Sequence, residues 1–258
     1  MAGSCGGGDL TVLSIARRAA ERLQRLLLPG RAGAAAFRLL RAGKPRFECP
    51  LCRYRGPFLD MLDPWGGRAH ALCPRCGANE RVRLQYLVIS ALRDRRPLER
   101  MSLLHFSPEP QLQALFRGIF GTYRTAGIWH EPVDFPADLT RLPFADASWD
   151  CIFASHVLEH VADDERALRE IRRVLRPAGI AVLPVPVSQG STEEYAAPDP
   201  LQYGHVRAPG MDYFERYRRH FSDVEIWSSS RFADAFQLHC IERAGGARRE
   251  DYVPVCYV

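Results

Sequence analysis

Over residues 139–179 the chain runs turn, buried strand, polar loop, amphipathic helix, stop signal and second buried strand, an order that few folds can use. Ile152 and Phe153 form a short apolar run behind an acidic turn, the pattern of a strand covered on both faces. Asp163 and Asp164 suit a helix start, and Leu168, Ile171, Val174 and Leu175 follow at helical spacing. Pro177 and Gly179 are expected to end that helix before the apolar run of residues 180–187. A strand, a crossover helix and a parallel strand make the fold class α/β.

At 258 residues the chain can hold one α/β domain with a small appendage, and its core needs no disulfide staples. No apolar run is long enough to span a bilayer. The first residues lack the basic segment and apolar core of a secretory signal, so a cytoplasmic address is expected. The net charge of +5, carried largely by arginines, permits an anionic partner without requiring one. Residues 1–44 read as a basic helical leader and linker, 45–97 as a ribbon bearing two cysteine pairs with a connecting helix, and 98–258 as the main domain. Within the leader, residues 11–28 have a helical apolar stripe, with Arg17, Arg18, Arg22 and Arg25 on other faces. That suits either a helix packed on its own domain or one lying on an anionic surface.

Cys49-Pro50-Leu51-Cys52 and Cys73-Pro74-Arg75-Cys76-Gly77 are two Cys-x-x-Cys pairs separated by twenty residues. Two cysteines three apart on a tight turn can aim both sulfurs at one ion, and two such turns supply a tetrahedron of thiolates. In a reducing compartment this spacing points to a closed, structural zinc site on Cys49, Cys52, Cys73 and Cys76. Gly77 suits the turn because it tolerates any backbone conformation. After the ribbon, Tyr86, Leu87, Ile89 and Leu92 mark a helix expected to dock on the sheet. Arg81 and Arg83 on it either face a phosphate or substrate, or bridge the two parts of the chain.

Asp138-Leu139-Thr140, Leu142-Pro143-Phe144, Trp149-Asp150, His156-Val157-Leu158-Glu159-His160 and Arg176-Pro177-Ala178-Gly179 together resemble the second half of a class I S-adenosylmethionine-dependent methyltransferase of the type 11 group. Cys-Pro-x-Cys-Gly followed by Glu80-Arg81-x-Arg83 resembles a subgroup with a zinc-ribbon preface. The resemblance implies a Rossmann-like, seven-stranded, mostly parallel sheet with helices on both faces, and S-adenosylmethionine as cofactor. It covers roughly residues 102–258 and has departures. Ala178 stands where the family has glycine. The first strand, residues 103–106, leads into Ser107-Pro108-Glu109-Pro110, with no glycine in the turn. The acid that normally follows the next strand is missing; Glu131 is the nearest substitute.

By that resemblance Phe106, Ser107 and Pro108 form the cofactor turn, with Glu109 facing the methionyl ammonium or simply capping a helix. Asp138 and Leu139 would hold the adenine, although Asp also opens turns. Ser155, His156 and Glu159 fall at the carboxyl end of a strand, where this fold works. His156 is the first candidate for a base, then His160, because imidazole titrates near neutrality. The polar segment of residues 188–212 is long enough for a lid, and His205 and Arg207 in it either contact the acceptor or form a hydrogen-bond cluster that anchors the loop; His205 is also a catalytic candidate. The methyl acceptor and the oligomeric state are not legible. No aromatic-rich nucleic-acid motif is evident, though a ribbon and basic leader docking nucleic acid or protein, with a dead cofactor turn, is the competing reading.

Overall fold

The computed structural model describes residues 33–34, 37–39, 41, 43–62, 67–128, 132–188 and 190–258. The expected leader helix of residues 11–28 and Glu131 lie outside them. Two small hairpins come first: Phe47–Glu48 (β1) pairs with Arg55–Gly56 (β2), and Leu59–Met61 (β3) with Arg68–Leu72 (β4). Glu80–Arg93 (α1) follows, capped by the Asn79 side chain, which accepts from the Val82 amide at 2.9 Å. Then come Ser102–Phe106 (β5), Pro110–Phe116 (α2), Thr122–Gly127 (β6), Phe135–Pro136 (β7), Trp149–Ala154 (β8), Asp164–Val174 (α3) and Leu175–Val182 (β9). An exposed hairpin, Glu193–Asp199 (β10) with His205–Ala208 (β11), precedes Phe214–Arg218 (α4) and Asp223–Ser228 (β12). A short pair, Cys240–Ile241 (β13) and Arg248–Arg249 (β14), leads to the last strand, Tyr252–Tyr257 (β15).

Seven strands form one sheet in the order β12-β15-β9-β8-β5-β6-β7. β15 is antiparallel to both neighbours, and the pairs from β9 to β7 are parallel. This is the Rossmann-like sheet expected. Side chains alternate across it as a pleat requires. Leu103, Cys151, Phe153, Ile180 and Val182 face Val82, Leu84, Val88, Ile89 and Leu92 of α1 and Phe116 of α2. Leu104, Phe106, Ile152, Ala154 and Ala181 face Ala167, Leu168, Ile171 and Val174 of α3, with Tyr213, Phe214 and Tyr217 beside them. Each fully buried large apolar side chain stabilises by about 1.5–3 kcal/mol, so the two clusters hold the sheet from both sides.

Two local expectations shift and a third holds. Tyr86 and Leu87 are only half-buried; the docked stripe of α1 is rotated to include Val82, Leu84 and Val88. Asp163 caps α3 as expected, its carboxylate accepting from the Arg166 amide at 2.9 Å. Pro177 and Gly179, however, lie inside β9, because α3 ends at Val174 and the strand starts at once. A register shift between Trp149 and Cys151 absorbs the irregularity, and Ala178 takes φ +61°. Gly179 is required there: a Cβ would come within 2.8 Å of the Arg176 carbonyl oxygen.

The ribbon does not stand apart. Cys49, Tyr54, Phe58, Cys73 and Ala78 belong to the same buried cluster as Leu103 and Phe153. Arg83 joins the parts directly. Its guanidinium is 0% exposed, donates to the Ala71 and Ala78 carbonyls at 2.8 and 2.6 Å, and reaches the Phe236 and Gln237 carbonyls at 3.0 and 2.5 Å. It also lies 4.5 Å from the centre of the Phe58 ring. Of the two readings for Arg83, bridging is the one observed.

A left-handed backbone costs a residue with a Cβ roughly 1–2 kcal/mol, and glycine avoids it. Ala178→Gly is therefore expected to raise unfolding free energy by about 0.5–1 kcal/mol in urea titration, after the entropy of glycine is subtracted. A destabilised variant would show that the backbone there is not strained.

Candidate active site and four-cysteine cluster

The two cysteine turns are near copies. Arg53 and Gly77, each four residues after the first cysteine of its pair, have φ +58° and +74°. Their amides donate to the Cys49 and Cys73 carbonyls at 2.8 and 2.9 Å. The Cys49–Cys76 and Cys52–Cys73 sulfurs are each 3.6 Å apart, and all four sulfurs lie within 4.8 Å of one another. A tetrahedron with zinc–sulfur bonds of about 2.3 Å has edges of about 3.8 Å, so the cluster fits a zinc ion. Four thiolates around a divalent cation leave net negative charge. The buried Arg83 guanidinium, whose own pKa burial pushes down, is pulled back up by Glu80 and then by Cys49, Cys73 and Cys76.

Across the sheet, the register sets Ala126, Phe106 and Ala154 side by side on β6, β5 and β8. One residue further on, at the carboxyl edge, stand Gly127, Ser107 and Ser155. Ser107 adopts φ +46° and donates its amide to the Ala126 carbonyl at 3.0 Å, making without glycine the turn that glycine usually makes. Phe106 and Pro108 are buried beneath it while Ser107 is exposed. Glu109 neither caps α2 with its side chain nor stands alone: its Oε2 lies 3.3 Å from Nε2 of the buried His105. Nδ1 of His105 is in turn 2.9 Å from the Tyr123 hydroxyl.

Asp138 is exposed and Leu139 buried. Oδ1 of Asp138 accepts from the Thr140 amide and hydroxyl at 2.8 and 2.9 Å, a local turn that leaves Oδ2 uncommitted to it. Asp134 is the acid near the end of β6, but its carboxylate accepts from the Thr125 amide and hydroxyl at 2.8 and 2.9 Å. It completes a strand edge, and those bonds, the backbone one first, hold it below the usual carboxylate range.

Behind Ser155 lies a buried polar group of residues that the sequence had scattered. Gln85 of α1 donates to Ser155 Oγ at 2.7 Å. His156, at φ +53°, places Nδ1 3.2 Å from Oε1 of Glu159. Burial lifts Glu159 to about 8 and drives His156 well below its ordinary value. Arg81, two residues from Arg83 on α1, adds its charge to this group, acting on both His156 and Glu159. Gln85 Oε1, Arg81 Nε, His156 Nε2 and Glu159 Oε2 are buried without a hydrogen-bond partner. Such a concentration of unmet polar atoms marks a place built for something else to bind. His205 Nε2 comes to 4.0 Å from Glu159 Oε1, and its ring packs edge-on against His160 at 4.7 Å.

Of the two readings for Arg207, the hydrogen bonds observed are those of a loop anchor. It is 2% exposed, and four of its five N–H donors are spent. They reach the Leu158, Val161 and Ala162 carbonyls at 2.7, 2.6 and 3.0 Å and the Glu194 carboxylate at 3.0 Å. It therefore ties the hairpin to the turn bearing Glu159 and His160. The hairpin base is closed by Asp212, which accepts from the Thr192 amide at 2.7 Å, and by Gly210, where a Cβ would strike the Gly190 carbonyl at 2.2 Å.

Removing Arg207 would strand three carbonyls and leave Asp164 and Glu194 with less compensation. Arg207→Met is expected to cost about 3 kcal/mol or more by chemical denaturation; a cost under about 1 kcal/mol would contradict the clamp. Stripping metal from the four cysteines with a chelator should lower the melting temperature of the whole chain in one transition. The ribbon and the sheet share a core, so a separate ribbon transition would contradict that.

A model described as a methyltransferase domain matches residues 122–183, the span from β6 through β9. An uncharacterised 37.1 kDa protein of a Streptomyces fradiae transposon is 37% identical over 86 residues, 33% of this chain and 21% of that protein. A ubiquinone/menaquinone biosynthesis C-methyltransferase of Hahella chejuensis is 49% identical over 43 residues, 17% of each chain. The matches thus span about a fifth of those relatives' length or less. Among solved structures, a Burkholderia thailandensis 1,6-didemethyltoxoflavin-N1-methyltransferase aligns over 67% of this chain and 86% of its own, at 16% identity and TM-score 0.44. The sheet order and the antiparallel last strand suit the methyltransferase domain whose model matches residues 122–183, and the four-cysteine ribbon is packed into the same core.

Proposed function

We propose that the protein transfers a methyl group from S-adenosylmethionine to an acceptor, in the cytoplasm, where reduced thiols leave the ribbon cysteines free for zinc. The observation that carries this reading is the left-handed Ser107 turn set between Gly127 and Ser155 at the carboxyl edge, the place where a nucleoside crosses such a sheet. Phe106, Ser107, Pro108 and Ser155 would line the methionyl end, with Glu109 held by His105 at its margin. Asp138, through Oδ2, and Leu139 would meet the adenine.

The bound cofactor supplies an activated methyl group on a sulfonium. What the chain must add is alignment and exclusion of water. Ser155, fixed by Gln85, sets the floor of the site. His156 is held through Nδ1 by Glu159, and its Nε2 is buried and unpartnered. For an acceptor that carries a proton, that nitrogen is placed to take it. Within the described residues no helix is long and apolar enough to cross a membrane.

Thermal or chemical denaturation with S-adenosylhomocysteine tests the reading. At a hundredfold over its dissociation constant the ligand should add about 2.7 kcal/mol. Ser107→Val forces a β-branched side chain into left-handed backbone and should weaken binding by roughly tenfold or more. No stabilisation at millimolar ligand would overturn the assignment and favour a binding module with a dead cofactor turn.

A further inference from the structure

Outside the four cysteines, one other group of metal-ligating side chains comes together among the described residues. Glu159 and His160 sit on the one-turn helix Leu158–His160, and His205 opens β11. One ligand atom from each lies within 4.8 Å of the other two. We propose that Glu159, His160 and His205 bind a divalent first-row transition-metal ion, a second site distinct in chemistry from the ribbon.

Two imidazoles and a carboxylate form a donor set suited to zinc, iron or cobalt, and three protein ligands leave coordination positions open. The buried carboxylate gives an independent sign. The Glu159 side chain is 1% exposed and its Oε2 has no hydrogen-bond partner, while its Oε1 faces His205 Nε2 at 4.0 Å, so a cation bound there would compensate a buried carboxylate. His160 is exposed and His205 partly so, which gives an ion a way in. Three atoms 4.8 Å apart have a centre roughly 2.8 Å from each, whereas metal bonds to nitrogen and oxygen are about 2.0–2.2 Å. The side chains need to draw inward by less than about 1 Å, a small rotamer adjustment.

The surroundings look arranged for this. Arg207, two residues beyond His205, binds the carbonyls of Leu158, Val161 and Ala162 on both sides of Glu159 and His160. One guanidinium thereby fixes the strand that carries one ligand against the turn that carries the other two. His156 Nδ1, 3.2 Å from Glu159 Oε1, orients the carboxylate from behind, as outer groups do around metal ligands. The ion's task, presenting an oxygen or nitrogen of the acceptor beside Ser155, rests on the proposed methyl transfer; the binding itself does not.

The test is metal stoichiometry of the full chain. After zinc loading and desalting, elemental analysis should find two equivalents, of which a weak chelator removes one. Loading with cobalt(II) instead should give a thiolate charge-transfer band from the first equivalent only, with the second adding ligand-field bands alone. His160→Ala and His205→Ala should each bind one equivalent with the thiolate band intact, a result that also shows the variants are folded. Arg207→Lys should weaken the second site by about 10- to 100-fold. One equivalent at every zinc concentration, or a second equivalent that survives His160→Ala/His205→Ala, overturns the site. Zinc uptake without stabilisation by S-adenosylhomocysteine would support the metal site while removing methyl transfer.

Discussion

A guanidinium sealed from water must be met by dipoles or charges on every side, because desolvating it is costly otherwise. Arg83 meets that condition only if the ribbon, α1 and the loop before β13 are all in place, since its acceptors come from Ala71, Ala78, Phe236 and Gln237. The same charge sits beside a cluster of four sulfurs whose thiolate form it favours. Ribbon, helix and sheet are thus parts of one cooperative body. α1 carries the consequence to the site: Gln85, two residues on, holds Ser155, and Arg81 charges the pocket behind it.

Arg207 repeats the device on the other side of the site. It fastens an exposed hairpin to the turn after β8, so that residues some forty-five positions apart in sequence become neighbours. Between the two clamps lies the densest collection of unpartnered buried polar atoms among the described residues. A protein tolerates such atoms where binding will satisfy them, and their position at the carboxyl edge agrees with where this sheet type places its ligands.

The parts of this that were legible in the chain are local. Paired cysteines at fixed spacing, the Asp163 cap and the period of α3 each need only a dozen residues, and all appear as read. The seven-stranded, mostly parallel sheet came through resemblance, which also located the Ser107 turn. What stayed hidden depends on contacts between distant segments. Nothing near Arg81 and Arg83 distinguishes them, yet opposite faces of α1 send one to the site and the other into the ribbon. Sequence could not decide between recognition and anchoring for Arg207, because its three carbonyl acceptors are invisible there. Glu109 has its partner in His105, the residue that stands in β5 four positions before it. Arg53 gave no sign of its left-handed backbone, which only the matching turn at Gly77 implies. The stop signal Pro177-Ala178-Gly179 was placed one element too early, since helix and strand here join without a loop.

The central claim is that a turn without glycine still seats a nucleoside across the edge formed by Gly127, Ser107 and Ser155. The direct measurement is a crystal structure of the chain grown with S-adenosylhomocysteine. The account predicts the sulfur between Ser107 and Ser155, the adenine over Leu139 within reach of Asp138 Oδ2, and open space from the sulfur toward His156. A nucleoside bound elsewhere, or side chains filling that edge with Asp138 turned away, would contradict it.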